Sequence, residues 1–235
     1  MKAVVLLSGG MDSAALLLYL LDDGYEVRAL GFNYGQRHSK ELGFAKALAE
    51  DCKVPFSVAE MGNLRELLPG SSQTDESVAV PEGKYDEDSM KATVVPNRNM
   101  IMLAIAIGHA IAHDCDAVAY AAHAGDHAIY PDCRPEFAES MARAAGLCDW
   151  KKIQLMRPFI TISKASIAAL GNNLGLDFQK TWSCYKGGDV HCGRCGTCIE
   201  RREALHLAGV PDPTIYAVDA PSLKTMIEND WHLPK

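Results

Sequence analysis

Near the start of the chain, the apolar run Ala3-Val4-Val5-Leu6-Leu7 breaks into Ser8-Gly9-Gly10-Met11-Asp12-Ser13. Apolar residues then resume as Ala14-Ala15-Leu16-Leu17-Leu18-Tyr19-Leu20. A short apolar run bounded by glycine reads as a strand buried on both faces, which is the habit of parallel sheets, and the segment after it reads as a helix. Paired glycines at the junction let the backbone turn sharply and bring successive N–H groups close to a ligand. The helix aims its free N-terminal donors and partial positive charge at the same spot. Ser8 and Ser13 add hydroxyls, and Asp12 is placed to cap the helix or hold a metal. The construction suits an oxyanion such as phosphate or pyrophosphate, although an ordinary strand–turn–helix corner uses the same residue types.

Two familiar phosphate loops are absent. There is no G-x-x-x-x-G-K-[ST] and no G-x-G-x-x-G in the chain, so neither a P-loop nor a dinucleotide fingerprint is present. Ser8-Gly9-Gly10-x-Asp12-Ser13 resembles instead the pyrophosphate motif of the N-type ATP pyrophosphatases, enzymes that adenylate an oxygen and release pyrophosphate.

Near the other end, Cys184, Cys192, Cys195 and Cys198 are spaced C-x7-C-x2-C-x2-C with glycines between them. Four thiolates so spaced can converge tetrahedrally on one Zn²⁺ in a structural role. An iron–sulfur cluster is the rival, because C-x2-C-x2-C also occurs in ferredoxin-type sites. Disulfides fit less well, since no secretory signal is read and a reducing, cytoplasmic location is expected. Cys52, Cys115 and Cys148 read as scattered core cysteines, and His191 as a neighbour of the metal set rather than a ligand.

The 235 residues suffice for one large α/β domain with a small appendage. No apolar stretch reaches the roughly 20 residues that span a bilayer, so no membrane partner is expected. A formal net charge of −7 is the wrong sign for a chain whose main task is gripping nucleic acid. Strand-like and helix-like segments alternate as in a parallel sheet: strands at 3–7, 26–32, 55–59, 117–122 and 153–156; helices at 13–22, 38–52, 99–113, 135–145, 163–174 and 199–208. Residues 69–95 show no period and are long enough for a lid or binding loop. Ligands sit beyond the carboxyl ends of such strands. That rule gathers Ser8–Ser13, Asn33-Tyr34-Gly35-Gln36-Arg37-His38, the Arg98 segment, residues 123–134 and Lys164 on one face, with Arg37, Arg98, Arg134 and Lys164 turned toward a polyphosphate.

Taken together, Leu7 to Leu17, Asn33 to His38, Val95 to Met100, Tyr130-Pro131-Asp132-Cys133-Arg134-Pro135-Glu136-Phe137, Lys164, Thr181-Trp182-Ser183-Cys184 with the other three cysteines, and Ala208-Gly209-Val210-Pro211-Asp212-Pro213-Thr214 resemble the 7-cyano-7-deazaguanine synthase family in its own order along nearly the whole chain. One departure stands out. Many members carry Asp-Tyr-Ser-Gly-Tyr-Pro where this chain has Asp126-His127-Ala128-Ile129-Tyr130-Pro131, which bears on pocket contacts rather than on the reaction.

The resemblance implies a parallel-sheet, three-layer α/β fold of the adenine nucleotide alpha-hydrolase-like (ATP pyrophosphatase) type. The α/β domain would span 1–180, with a small four-cysteine zinc-binding subdomain over 181–235 packed on it. It implies conversion of 7-carboxy-7-deazaguanine, ammonia and ATP to the 7-cyano product through adenylated acid and amide, with AMP and pyrophosphate released. It also implies Mg²⁺ with the ATP and a homodimer, the latter supported by apolar residues within 69–95. ATP would be bound by Leu7, Ser8, Gly9, Gly10, Met11, Asp12, Ser13, Ala14, Ala15, Leu16 and Leu17. Asp12, Arg98 and Lys164 would handle the transferring phosphate, and Asp126, Tyr130, Asp132 and Arg134 the substrate. Zinc would sit on Cys184, Cys192, Cys195 and Cys198. The rival activities are a tRNA thiolase, for which Cys133 is the cysteine on a site loop, and another amide-forming ligase.

Overall fold

The computed structural model describes residues 1–85 and 88–234. Positions 86 and 87 of the 69–95 connection, and residue 235 at the end of the expected 181–235 subdomain, lie outside the described residues. Five parallel strands form one sheet: β1 (Lys2–Leu6), β2 (Glu26–Asn33), β3 (Phe56–Glu60), β4 (Ala117–Ala119) and β5 (Gln154–Met156), in the order β3-β2-β1-β4-β5. The chain builds outward from β1 on one side and then crosses to build the other. The order therefore reverses between β1 and β4, where the crevice of an open α/β sheet forms.

Eight α-helices are described: α1 (Met11–Asp22), α2 (Glu41–Asp51), α3 (Leu64–Leu67), α4 (Arg98–Ala112), α5 (Pro135–Ala145), α6 (Lys164–Asn173), α7 (Gly196–Leu207) and α8 (Leu223–Glu228). Val4, Val118, Leu103 and Ile107 belong to the core on one face of the sheet, with α4 and α5. Val5, Leu16, Leu20, Ala119 and Ile167 belong to the core on the other, with α1, α2 and α6. Alternate residues of β1 point to opposite cores, so after the exposed Lys2 the strand is apolar throughout.

β4 stops at Ala119, short of the expected 122. Its partner β1 pairs Val5 with Ala119 and then turns away into the Ser8 loop, so the ladder has no further neighbour on that side. The 69–95 connection is polar inside and apolar inside alike. Ser71, Ser72 and Gln73 are fully buried, with Ser71 Oγ and Gln73 Nε2 both donating to Thr93 O, and Val80, Tyr85, Met90 and Val95 are buried too. These apolar residues thus face the interior, while Val78 of the same segment is half-buried and Ala79 exposed. Of the three expected core cysteines, Cys115 is buried, Cys52 half-buried and Cys148 exposed. Cys148 follows the end of α5, where its Sγ donates to Ala144 O.

The C-terminal segment is tied to the core through α7. Ala204 and Leu205 of α7 belong to the core on the α1 and α6 side. Val80, Trp182, Cys184, Cys195 and Cys198 make a small cluster of their own. No helix among the described residues is long and apolar enough to cross a membrane.

Candidate active site

Gly9 sits at φ +92°, a backbone setting that glycine alone adopts without strain, and a Cβ there would collide with the carbonyl of Glu41. The β1–α1 loop can therefore pass directly beneath the start of α2. Its hydroxyls hold it closed: Ser8 N and Gly10 N donate to Ser13 Oγ and Ser8 Oγ at 3.2 Å each. Gly10 caps α1 without a side chain, which leaves the first helical N–H groups to face a ligand. Leu7, Ser8, Gly10, Met11, Asp12 and Ser13 line a cleft above the sheet. Ala14, Ala15, Leu16 and Leu17 are buried in the core behind it.

Lys164 begins α6 and projects into the mouth of this loop. Its Nζ lies 3.0 Å from Asp12 Oδ2 and 2.7 Å from Glu200 Oε2. His123, buried in the loop beyond β4, presents Nε2 to Asp12, Asp126 and Glu200 at 3.8, 3.6 and 3.9 Å. Gly125 N donates to His123 Nδ1, which leaves Nε2 facing the carboxylates. Burial alone lowers Lys164, but Asp12 and Glu200 outweigh it and hold the ammonium above the ordinary lysine range. Burial raises Asp12, yet Lys164 and His123 bring its carboxyl below the usual value. Glu200, also buried, stays raised. Asp12 Oδ1 is buried and has no partner.

Across the cleft stand Tyr34, Tyr85, Tyr120, Tyr130, Tyr185 and Phe32. Arg98 lies among them, donating to Gln73 Oε1 at 2.8 Å and Tyr34 Oη at 3.2 Å, with its guanidinium 5.8 Å from the ring centres of Tyr34 and Tyr130. Tyr130 Oη shares a hydrogen with Thr93 Oγ1 at 2.6 Å. Glu41 and His38 also reach this wall. Burial pushes the Glu41 carboxyl up to about 8, against the pull of Arg98 and Gln36. It lowers His38 to about 3, with Arg98 and Arg37 acting in the same direction.

Of the residues expected here, the structure brings together Asp12, Arg98, Asp126, Tyr130 and Lys164. It does not bring in Arg37, Asp132 or Arg134. Arg37 donates to Asp75 O and Val78 O and so anchors the 69–95 connection. Asp132 accepts from Asn99 N and closes the start of α4. Arg134 is exposed and donates to His127 O. Cys133 does line the cleft, but burial lifts its thiol far above the ordinary range, and Asn99 Nδ2 donates to it. Sequence reasoning placed His123 on this face with the rest of 123–134 but gave it no role, and it missed Glu41 and Glu200. Glu200 lies in Cys198-Ile199-Glu200-Arg201-Arg202, which reads as an exposed charged run until α7 is seen to be buried at Glu200, Arg201 and Arg202.

The ligand atoms of Cys184, Cys192, Cys195 and Cys198 all lie within 4.8 Å of one another. Cys192 Sγ and Cys198 Sγ are 3.9 Å apart, close to the edge of about 3.8 Å of a tetrahedron with 2.3 Å metal–sulfur bonds. Cys192 N, Arg194 N and Cys195 N point at these sulfurs from 3.3–3.5 Å, as suits charged thiolates. The set can hold a metal ion such as zinc. His191 is turned away, its Nε2 accepting from Ser183 N and its ring 4.2 Å from that of Trp182.

A family model described as "Queuosine biosynthesis protein QueC" matches residues 2–209. A protein of Caldicellulosiruptor saccharolyticus named 7-cyano-7-deazaguanine synthase is 50% identical over 219 residues, covering 93% of this chain and 97% of its own. One of the same name from Ruegeria sp. is 53% identical over 221 residues, covering 92% and 94%. Among solved structures, NMN synthetase from Francisella tularensis aligns with a TM-score of 0.52 at 17% identity over 98% of this chain and 83% of that one. A 4-thiouridine synthetase solved with RNA and bound ATP gives 0.50 at 15% identity over 98% and 53%. At such identities these two show the fold alone, which is of the adenine nucleotide alpha-hydrolase-like type.

Proposed function

This chain belongs to the QueC family of queuosine biosynthesis proteins and is an enzyme; on that premise we propose that it converts 7-carboxy-7-deazaguanine, ammonia and ATP to 7-cyano-7-deazaguanine, with AMP and pyrophosphate as products. A carboxylate oxygen of the substrate attacks the α-phosphorus of ATP, and pyrophosphate leaves. Ammonia then displaces AMP from the acyl carbon to give the amide. The amide oxygen attacks a second ATP in the same way, and loss of AMP and a proton leaves the nitrile.

Such transfers ask for positioning and charge neutralisation rather than a side-chain nucleophile. The Ser8–Ser13 loop and the start of α1 bind the departing pyrophosphate through N–H and hydroxyl donors. Lys164 and Arg98 balance charge on the transferring phosphate. The tyrosine-lined wall takes the flat heterocycle by stacking, with Asp126 and Tyr130 at its edge.

Asp12 Oδ1, a hard oxygen donor buried without a partner, fits a Mg²⁺ that accompanies ATP and would neutralise its phosphates. The four thiolates fit a structural Zn²⁺. A cytoplasmic homodimer with no direct nucleic-acid or membrane partner completes the reading. The high thiol range of Cys133 speaks against sulfur transfer, which needs a thiolate.

The observation that carries this reading is Lys164, held between Asp12 and Glu200 at the mouth of a glycine loop that shares its cleft with the tyrosines. Incubation with ATP, Mg²⁺, ammonium and the acid is expected to yield AMP and pyrophosphate, and Asp12→Ala to abolish both while the protein stays folded. Accumulation of ADP, or full turnover by Asp12→Ala, would overturn it.

A further inference from the structure

Glu200 is 8% exposed and touches no atom of the phosphate loop's backbone in any hydrogen bond described; its carboxylate is spent on Lys164, and beyond it on His123. It stands on α7 one turn after Thr197, on the same helix face, and Thr197 lines the cleft. That helix opens at the four-cysteine centre: Cys195 is its N-cap and Cys198 lies in its first turn. The next residue, Arg201, is wholly buried. It donates to Thr181 Oγ1, Ser183 Oγ, Phe178 O and Thr214 Oγ1 at 2.7–3.2 Å. Trp182 N in turn donates to Gly9 O of the phosphate loop at 2.9 Å. The start of α7 is thus fixed from the metal side and tied back to the loop that Lys164 serves.

We infer that Glu200 is the positioning residue of Lys164: from the rigid start of α7 it shares the lysine ammonium with Asp12 and fixes Nζ between the two carboxylates, so that Lys164 faces the transferring phosphate. Without Glu200 the ammonium keeps its contact with Asp12 but loses the second anchor that fixes its direction. The inference rests on the adenylation reading above. The role is positional, because Glu200 acts through Lys164 and contacts no reacting atom.

The test is ATP–pyrophosphate exchange by the full-length protein with bound zinc, in the presence of the acid. Glu200→Gln keeps the shape and an acceptor oxygen but loses the charge; Glu200→Ala loses both. Exchange kcat is expected to fall about 10-fold in the first and about 100-fold in the second, the scale of a misplaced group. KM for ATP should stay within about threefold, with zinc content and melting midpoint unchanged. In a Lys164→Met background, Glu200→Gln should cost nothing further, because the two residues act as one unit.

Independent effects that multiply in the double variant, or a fall in ATP affinity with unchanged kcat, would overturn the inference. A wild-type protein without exchange would instead sink the adenylation reading, and a second measurement covers that case. The Lys164 ammonium, held by two carboxylates, should give a slowly exchanging ¹⁵Nζ signal that Glu200→Gln abolishes and that the exposed-pair variant Asp51→Asn leaves in place. Persistence of the signal in Glu200→Gln would equally overturn the inference.

Discussion

Glu41 carries an unusual load for one side chain. Its carboxyl faces the cleft with Gln36 Nε2 at 3.5 Å and His38 Nε2 at 3.6 Å beside it, and burial lifts it to about 8 against the pull of Arg98. In the unfolded chain the group ionises at its ordinary value, so the native state binds the extra proton. Stability is therefore lost as pH rises from the unfolded to the folded value, and the full cost is present above about pH 8. Glu41→Gln is expected to stabilise the protein by a few kcal/mol, to order of magnitude, at pH 9 and hardly at all at pH 4. Chemical denaturation at the two pH values measures this, and an equal effect at both would refute it. No local pattern in Ser39-Lys40-Glu41-Leu42 announces such a role. Gly9 is the opposite case: Gly-Gly after an apolar strand names the loop from sequence alone, because only a residue without Cβ passes so close to α2.

At the scale of elements, the strands and helices were legible wherever apolar period was strong, as in β1, β2, α1 and α4. α5 is found at the expected 135–145 because Pro135 starts it and a periodic apolar face sustains it. Arg134 and Asp132 were misplaced for a local reason: short turns direct adjacent side chains to opposite sides, and the sequence does not say which one meets the cleft. α7 was legible as a helix but not as a wall of the site, since its charged residues are buried by partners more than 13 positions away in the chain, such as Thr181 and Phe178. The four-cysteine element is the most explicit of all, and its contribution can be measured. Cys195→Ser removes one of the four thiolates while leaving the backbone at the N-cap of α7 unchanged in kind. Because metal binding energy is also folding energy, the melting midpoint should drop by more than about 5 °C with loss of zinc by elemental analysis. A variant that keeps its metal and its melting point would contradict the structural role given to this centre.

For the whole molecule, the alternation of strands and helices made a parallel sheet legible, and the rule for ligands beyond strand ends located the cleft. What the alternation does not give is strand order, which depends on β1 lying between β2 and β4. Nor does it show that α7 returns to the first loop. A chain ended at residue 195 retains all five strands but lacks Ala204 and Leu205 in the core, the four hydrogen bonds of Arg201, and Glu200. It is expected to show no cooperative transition by calorimetry, whereas the full chain shows one. The tie between Trp182 N and Gly9 O then has a bearing on biosynthesis. On the ribosome the glycine loop emerges first and must wait for nearly the entire polypeptide before its lysine is braced. A message broken late in translation therefore yields a chain that carries Asp12 and Lys164 but not the Glu200 that braces the lysine.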